Sequence, residues 1–169
     1  MKKIIIFLIL FNVFTLNLKA EIAYIDINFI LKTSEVGKSL NTYIDKIKNE
    51  DIAKYKEIEK KLLNKEKSLI AQQNIINQEE FKKRLAELTN EVQEYRSKKK
   101  IAFDQLNSIK IDKTKEILKI LNPIITEYVD LNSISLVIPK KNIIVGKKNL
   151  DITNQIIKIL NNNIKKLKF

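Results

Sequence analysis

The side chains with most chemistry to offer are cations set among apolar groups. Lys82, Lys83 and Arg84 stand together, and Arg96, Lys98, Lys99 and Lys100 follow about a dozen residues later. Around them lie Ile52, Leu63, Ile70, Ile101, Phe103 and Ile111, apolar residues that fall outside any helix–helix seam. Cations beside apolar groups attract acidic, partly unfolded chains or anionic lipid through many weak contacts, although a merely solvated helix face has a similar composition. Catalysis fits poorly. The chain has no histidine and no cysteine, which removes the commonest general base, the commonest metal ligand and any disulfide framework. No nucleophile–base pair stands out, so the expectation is a non-enzyme with no cofactor and no metal.

The formal net charge is +12. Lys, Asn and Ile are all heavily used, as A/T-rich coding alone would produce, so only part of this basicity speaks for acidic partners. The first 20 residues read as a secretory signal peptide. Lys2 and Lys3 precede an apolar run from Ile4 to Leu16, and Ala20 supplies the small residue at the cleavage point. The run is well short of the ~20 residues of a membrane span. Cleavage there removes Lys2, Lys3 and Lys19 and lowers the net charge by three, to +9. An exported chain meets no cytoplasmic nucleic acid, so nucleic acid is not expected as a partner.

The elements that must carry the cations are helical. Between Gly37 and Pro123 there is neither glycine nor proline, and a stretch of about 85 residues without a helix breaker forms one very long helix or two folded back. Apolar residues recur at Leu40, Ile44, Ile47, Tyr55, Ile58, Leu62 and Leu69, then at Phe81, Leu85, Leu88, Val92, Tyr95, Ala102, Leu106 and Ile109. The second series keeps the four–three alternation of a coiled-coil seam, with Lys99 at one seam position. Between them Asn77 reads as an N-cap with Glu80 three residues on, and Ile76 and Phe81 form a hydrophobic staple. The two series therefore pair as an antiparallel hairpin. Leu69 with Leu85, Leu62 with Val92, Ile58 with Tyr95, Ile47 with Leu106 and Ile44 with Ile109 have residue numbers of the same total to within one. At Asp51 and Tyr55, opposite Ala102 and Lys99, the spacing slips. Such a stutter unwinds a supercoil locally, so Asp51, Tyr55 and Lys99 are the expected hinge of the arm; the alternative is that Tyr55 and Lys99 pack their stems and leave it straight. Residues 38–121 hold 20 basic and 14 acidic side chains, a net of +6.

What remains is a small base, residues 21–37 and 122–169. Ile22 to Ile27 reads as a strand, and Ile134–Ile138 and Ile143–Val145 as two more joined by a turn at 139–142. Asn122-Pro123 sits near the end of the second arm helix, with a kinked continuation to Tyr128 the alternative. Asp151 caps a last amphipathic helix, Ile152 to Leu167. Three short strands cannot bury their own edges, so oligomerisation through Ile22, Tyr24, Ile25, Ile27, Leu136 and Ile138 is expected. The fold class is α+β and mostly α: a long coiled-coil hairpin on a small β-rich oligomerisation body.

The exported leader, Ile22-Ala23-Tyr24-Ile25-Asp26, Gly37 before the long helix, the charged hairpin, the Ile134–Ile138 strand and Leu150-Asp151-Ile152-Thr153 before the last helix together resemble the Skp (OmpH-like) periplasmic chaperone family. The resemblance spans essentially the whole chain, and its specific element is the order of the parts. It implies a homotrimer with three helical tentacles around a cavity. It also implies ATP-independent holding of unfolded outer-membrane β-barrel proteins in the periplasm, and it associates basic residues with lipopolysaccharide. The competing expectation is a periplasmic coiled-coil adaptor of an envelope complex. Adaptors of that kind usually carry glycine-rich β domains, whereas this chain has two glycines, Gly37 and Gly146.

Overall fold

The computed structural model describes residues 21–168; the expected signal peptide lies outside the described residues. The chain runs β1 (Glu21–Ile25), α1 (Ile27–Thr33), α2 (Glu35–Ala71), α3 (Gln78–Leu131), β2 (Ile134–Pro139), two single 3₁₀ turns (Lys140–Asn142 and Lys148–Leu150) and α4 (Thr153–Asn163).

The strands β1 and β2 pair in parallel, Ile22 facing Leu136 and Tyr24 facing Ile138. Parallel neighbours need a long crossover, and here the crossover contains α1, α2 and α3 entire. The other edge of β1 is covered by the segment before α4. Ile152 N–H donates to the Tyr24 carbonyl at 3.0 Å, and Asp26 N–H donates to Thr153 Oγ1 at 2.9 Å. Held on both sides, Ala23, Tyr24 and Ile25 are all buried.

Asp26 ends the strand two residues earlier than its apolar pattern suggested. Its Oδ1 accepts the Phe29 N–H at 2.9 Å, which caps a helix at that point, so Ile27 opens α1 instead of extending β1. Ser34 then closes α1 and caps α2, its buried Oγ accepting the Gly37 N–H at 3.2 Å. Asn161 of α4 accepts the Glu35 N–H at 2.8 Å. Two of the four N–H groups that a helix start leaves without partners are thereby paired. Helix α2 thus begins at Glu35, with Gly37 inside its first turn. A Cβ on Gly37 would lie 2.1 Å from the Leu31 carbonyl oxygen, so glycine is required because the end of α1 passes so close.

The core sits at the root of the long helices. Val36, Leu40 and Ile44 of α2 meet Ile117, Leu121 and Ile124 of α3, Ile30 of α1, and Ile156 and Leu160 of α4. That packing flanks Pro123, through which α3 continues to Leu131. Proline withdraws one N–H from the ladder, but Pro123 is exposed while Leu121 and Ile124 beside it are buried. The helix ends at Asn132 and Ser133, the latter at φ 53°, in the left-handed geometry that glycine usually supplies after a helix.

Two further readings of the base need correction. Ile143–Val145 is not a strand: no strand within the described residues pairs with it, and Ile144 and Val145 lie open to solvent, 100% and 89% exposed. The last helix spans Thr153–Asn163, with Ile152 at the cap position. Asp151 sits one residue earlier, where its Oδ1 accepts the Thr153 N–H at 3.0 Å and its Oδ2 pairs with Lys140 at 2.9 Å. Desolvation pushes the Asp151 carboxyl up, but the hydrogen bonds from Thr153 and Lys140 outweigh it and hold the group below the usual carboxylate range. After Asn163 the chain leaves the helix, and Leu167 folds back into the core.

Replacement of Gly37 by Ala must displace either the end of α1 or the start of α2. We expect Gly37→Ala to cost about 1–3 kcal/mol, as for other overpacked sites, read as a lower urea midpoint with unchanged slope.

Candidate binding groove on the arm

Helices α2 and α3 are joined by a short turn whose chemistry follows the sequence. Asn77 Oδ1 accepts the Glu80 N–H at 2.8 Å. The Glu80 carboxylate pairs with Arg84 at 2.7 Å, and that hydrogen bond and charge hold its pKa below the ordinary value. Arg84 also donates to Gln72 Oε1 at 2.8 Å, tying the two sides of the tip. Further along, Lys65 pairs with Glu91 at 2.6 Å, Tyr95 Oη donates to Glu59 at 3.1 Å, and Tyr55 Oη donates to the Lys98 carbonyl at 3.0 Å. Partners thus descend α3 as they ascend α2.

Tyr55 is where the expected stutter falls, yet both helices run through it unbroken. The Tyr55 ring is buried and meets Tyr95 edge-on, 6.0 Å between centroids at 61°. Lys99 Nζ donates to Tyr95 Oη at 3.0 Å and stands 5.3 Å from that ring's centre; the hydrogen bond pushes the Lys99 pKa up. An aromatic pair fills the seam where aliphatic spacing fails. One seam residue departs in the other direction: Leu85 faces outward, 46% exposed, although Leu69 opposite it is buried.

Because two helices shield only the seam, the residues flanking it stay open, and the two flanks differ. On one flank a groove of about 1430 Å³ runs along the arm from Lys48 and Leu106 to Ile70 and Phe81. Ile52, Leu63, Ile70, Leu85 and Phe103 line it while remaining about half exposed. On the other flank the hollows are small, 370 and 470 Å³, and the surface is laced by Lys61–Glu57, Lys65–Glu91 and Lys98–Glu94 pairs.

The groove gathers seven of the thirteen side chains singled out as binding candidates: Ile52, Leu63, Ile70, Phe103, Arg96, Lys99 and Lys100; Ile111 is exposed outside it. Lys98 and Ile101 line a hollow of the opposite flank, since residues two apart on a helix point to different sides. Lys82 and Lys83 are exposed outside the groove, and Arg84 is engaged at the tip. Leu85 was missed as a binding candidate because its four–three spacing assigns it to the seam. In the base, Tyr24 and Ile25 are covered by their own chain, Ile27 and Ile138 are half-buried, and Ile22 and Leu136 are open side by side. Leu131, Ile144 and Val145 are further open apolar residues there, missed because they lie at a helix end and in a presumed strand.

Long helices on a small parallel strand pair define a mostly α protein whose distinctive surface is carried on an arm. Residues 21–160 match the family of outer membrane proteins described as OmpH-like, and the chain belongs to that family. Among solved structures it is similar to a Caulobacter crescentus protein described as an outer membrane chaperone (OmpH-like). The two share 19% sequence identity over 88% of each chain, with a TM-score of 0.80. No curated protein matches the chain.

Removal of the Tyr55 hydroxyl leaves the ring packing intact and frees the Lys98 carbonyl. We expect Tyr55→Phe to cost about 1 kcal/mol and Tyr55→Ala about 3–5 kcal/mol. In hydrogen exchange, the faster amides in Tyr55→Ala should centre on residues 51–59 and 95–102 and spare the root.

Proposed function

We propose that the chain is an ATP-independent periplasmic holdase that binds unfolded outer-membrane β-barrel proteins and prevents their aggregation. Residues 1–20 direct export and are removed. Residues 38–121 form an antiparallel hairpin arm, and residues 21–37 with 122–169 form the body. Three copies join through their bodies, Ile22 and Leu136 on the open strand pair contributing with Ile144 and Val145, so that three arms surround a cavity. The interaction has no nucleotide or metal requirement. Anionic lipid or lipopolysaccharide meets the exposed Lys82 and Lys83 near the tip.

The observation that carries this reading is the one-sided arm: an open apolar groove whose lining carries Lys48, Lys56, Arg96, Lys99 and Lys100 beside Asp51, Glu59 and Glu66, backed by a face with ion pairs. Membership of the OmpH-like family supports it. A holdase needs adhesive area without a fixed pocket, because an unfolded client offers no single shape. Exposed apolar patches of this extent on a soluble chain mark an interaction site, and the arm's net +6 favours acidic clients. The surface ion pairs of the other flank contribute little stability individually; they keep that side from adhering.

The test uses residues 21–169 at several ratios to a urea-denatured outer-membrane barrel protein, diluted from urea without ATP while light scattering is followed. Suppression should saturate near about three chains per client, as for a homotrimer, and Ile52→Asp with Phe103→Glu should weaken it several-fold. Aggregation at the rate of the client alone would overturn the reading.

A further inference from the structure

We propose that residues 161–168 are a releasable strap that holds the arm to the body, and that the arm swings about Ser34 and Pro123 when the strap opens. Each long helix has a weak point at the root. Helix α2 is separated from α1 by Ser34 alone, whose backbone is extended at φ −62° and ψ 155°. In α3, Pro123 has no N–H to return to the Lys119 carbonyl. The two points flank one core: Val36 just after the first and Leu121 just before the second are fully buried in the same cluster. The middle of the arm has no such point, because the Tyr55–Tyr95 contact lies between two unbroken helices.

Helix α4 belongs to the body, since Ile152 N–H donates to the Tyr24 carbonyl and Asp26 N–H to Thr153 Oγ1. From α4 the chain reaches past both weak points. Asn161 Oδ1 accepts the Glu35 N–H at 2.8 Å, and Lys165 Nζ stands 4.0 Å from the Glu35 carboxylate; Glu35 is on the arm side of Ser34. Lys113 Nζ donates to the Lys168 carbonyl at 3.2 Å, and Lys113 lies on the arm side of Pro123, about 15 Å away along the axis. Leu167 between these attachments is buried in the root core. The strap thus ties the arm side of each break to the body. Its own hold is light. The Ile164 N–H donates to the Leu160 carbonyl, but residues 165–168 make no backbone–backbone hydrogen bond among the described residues. One buried leucine, one side-chain hydrogen bond and one exposed ion pair fasten them. Segments held so lightly open at a small part of the free energy of global unfolding, and a helix break or a missing N–H is where a hinge can bend.

The swing is a property of the free protein; that it lets the arms adjust to a client rests on the holdase reading. The test places a donor and acceptor dye at Ile75→Cys on the tip and Lys158→Cys on α4, both exposed, in residues 21–169, which contain no other cysteine. Labelled chains are diluted into excess unlabelled chains, so that each assembly carries one dye pair, and single-molecule energy transfer is read without client. The parent should give one narrow distance distribution. Leu167→Asp should broaden it and shift its mean to shorter distance. Adding Pro123→Ala, which returns an N–H to the helix, should restore the narrow distribution. Melting curves would confirm that the variants fold; should Leu167→Asp fail to, Lys113→Met, which removes the bond to Lys168, replaces it with the same broadening expected. A distribution unchanged by the strap variants, with only a lower urea midpoint, would overturn the proposal, because the segment would then merely pack. Broadening that persists with Pro123→Ala would also overturn it, by placing the hinge elsewhere. Because no client is present, failure here leaves the holdase reading standing, and failure to suppress aggregation leaves this proposal standing.

Discussion

Two helices lying side by side can shelter only the residues that face each other. For α2 and α3 that shelter is a single file, and beyond the root only Tyr55 and Leu69 are fully covered. The hydrophobic gain from such a seam is small for its length. The arm is therefore held by what happens at its base, where Val36, Leu40, Ile117 and Leu121 pack with α1 and α4. The parallel pairing of β1 with β2 fixes the two ends of the crossover together, and the segment before α4 closes the second edge of β1. Ser34, Gly37 and Asn161 then set the angle at which α2 leaves the body.

The same limit leaves an open apolar surface on the arm. Side chains just off the seam have no third helix to cover them, and the chain treats its two flanks differently. One carries charge pairs such as Lys65–Glu91 and Lys98–Glu94 beside the single exposed Ile101; the other carries Ile52, Leu63, Ile70 and Phe103 together. An apolar groove that would be a packing defect in a three-helix bundle is, under the proposed function, a place for a guest. The Tyr55–Tyr95 contact closes the seam midway.

Much of this architecture was legible in the residues. Asn77 and Glu80 marked the start of α3, because capping is a local signal. Three features were not legible and one was legible only in part. Helix α1 hides behind Ile27 and Phe29, which continue a strand-like pattern until Asp26 is seen to cap. The passage of α3 through Pro123 was legible only as an alternative, because it depends on tertiary packing at Leu121 and Ile124. Ile143–Val145 has strand composition but no strand to pair with inside the described chain. The division of the arm into two flanks requires knowing the rotation of each helix, and the candidate list accordingly mixed Lys98 and Ile101 with residues of the groove.

Under the proposed function, clients bind on one flank of the arm. Photo-crosslinking from a benzophenone side chain placed at Phe103 or at Ile101, two residues apart on opposite flanks, distinguishes the two sides. With an unfolded outer-membrane protein bound, position 103 should give strong adducts and position 101 few. Equal yields from both positions would contradict it.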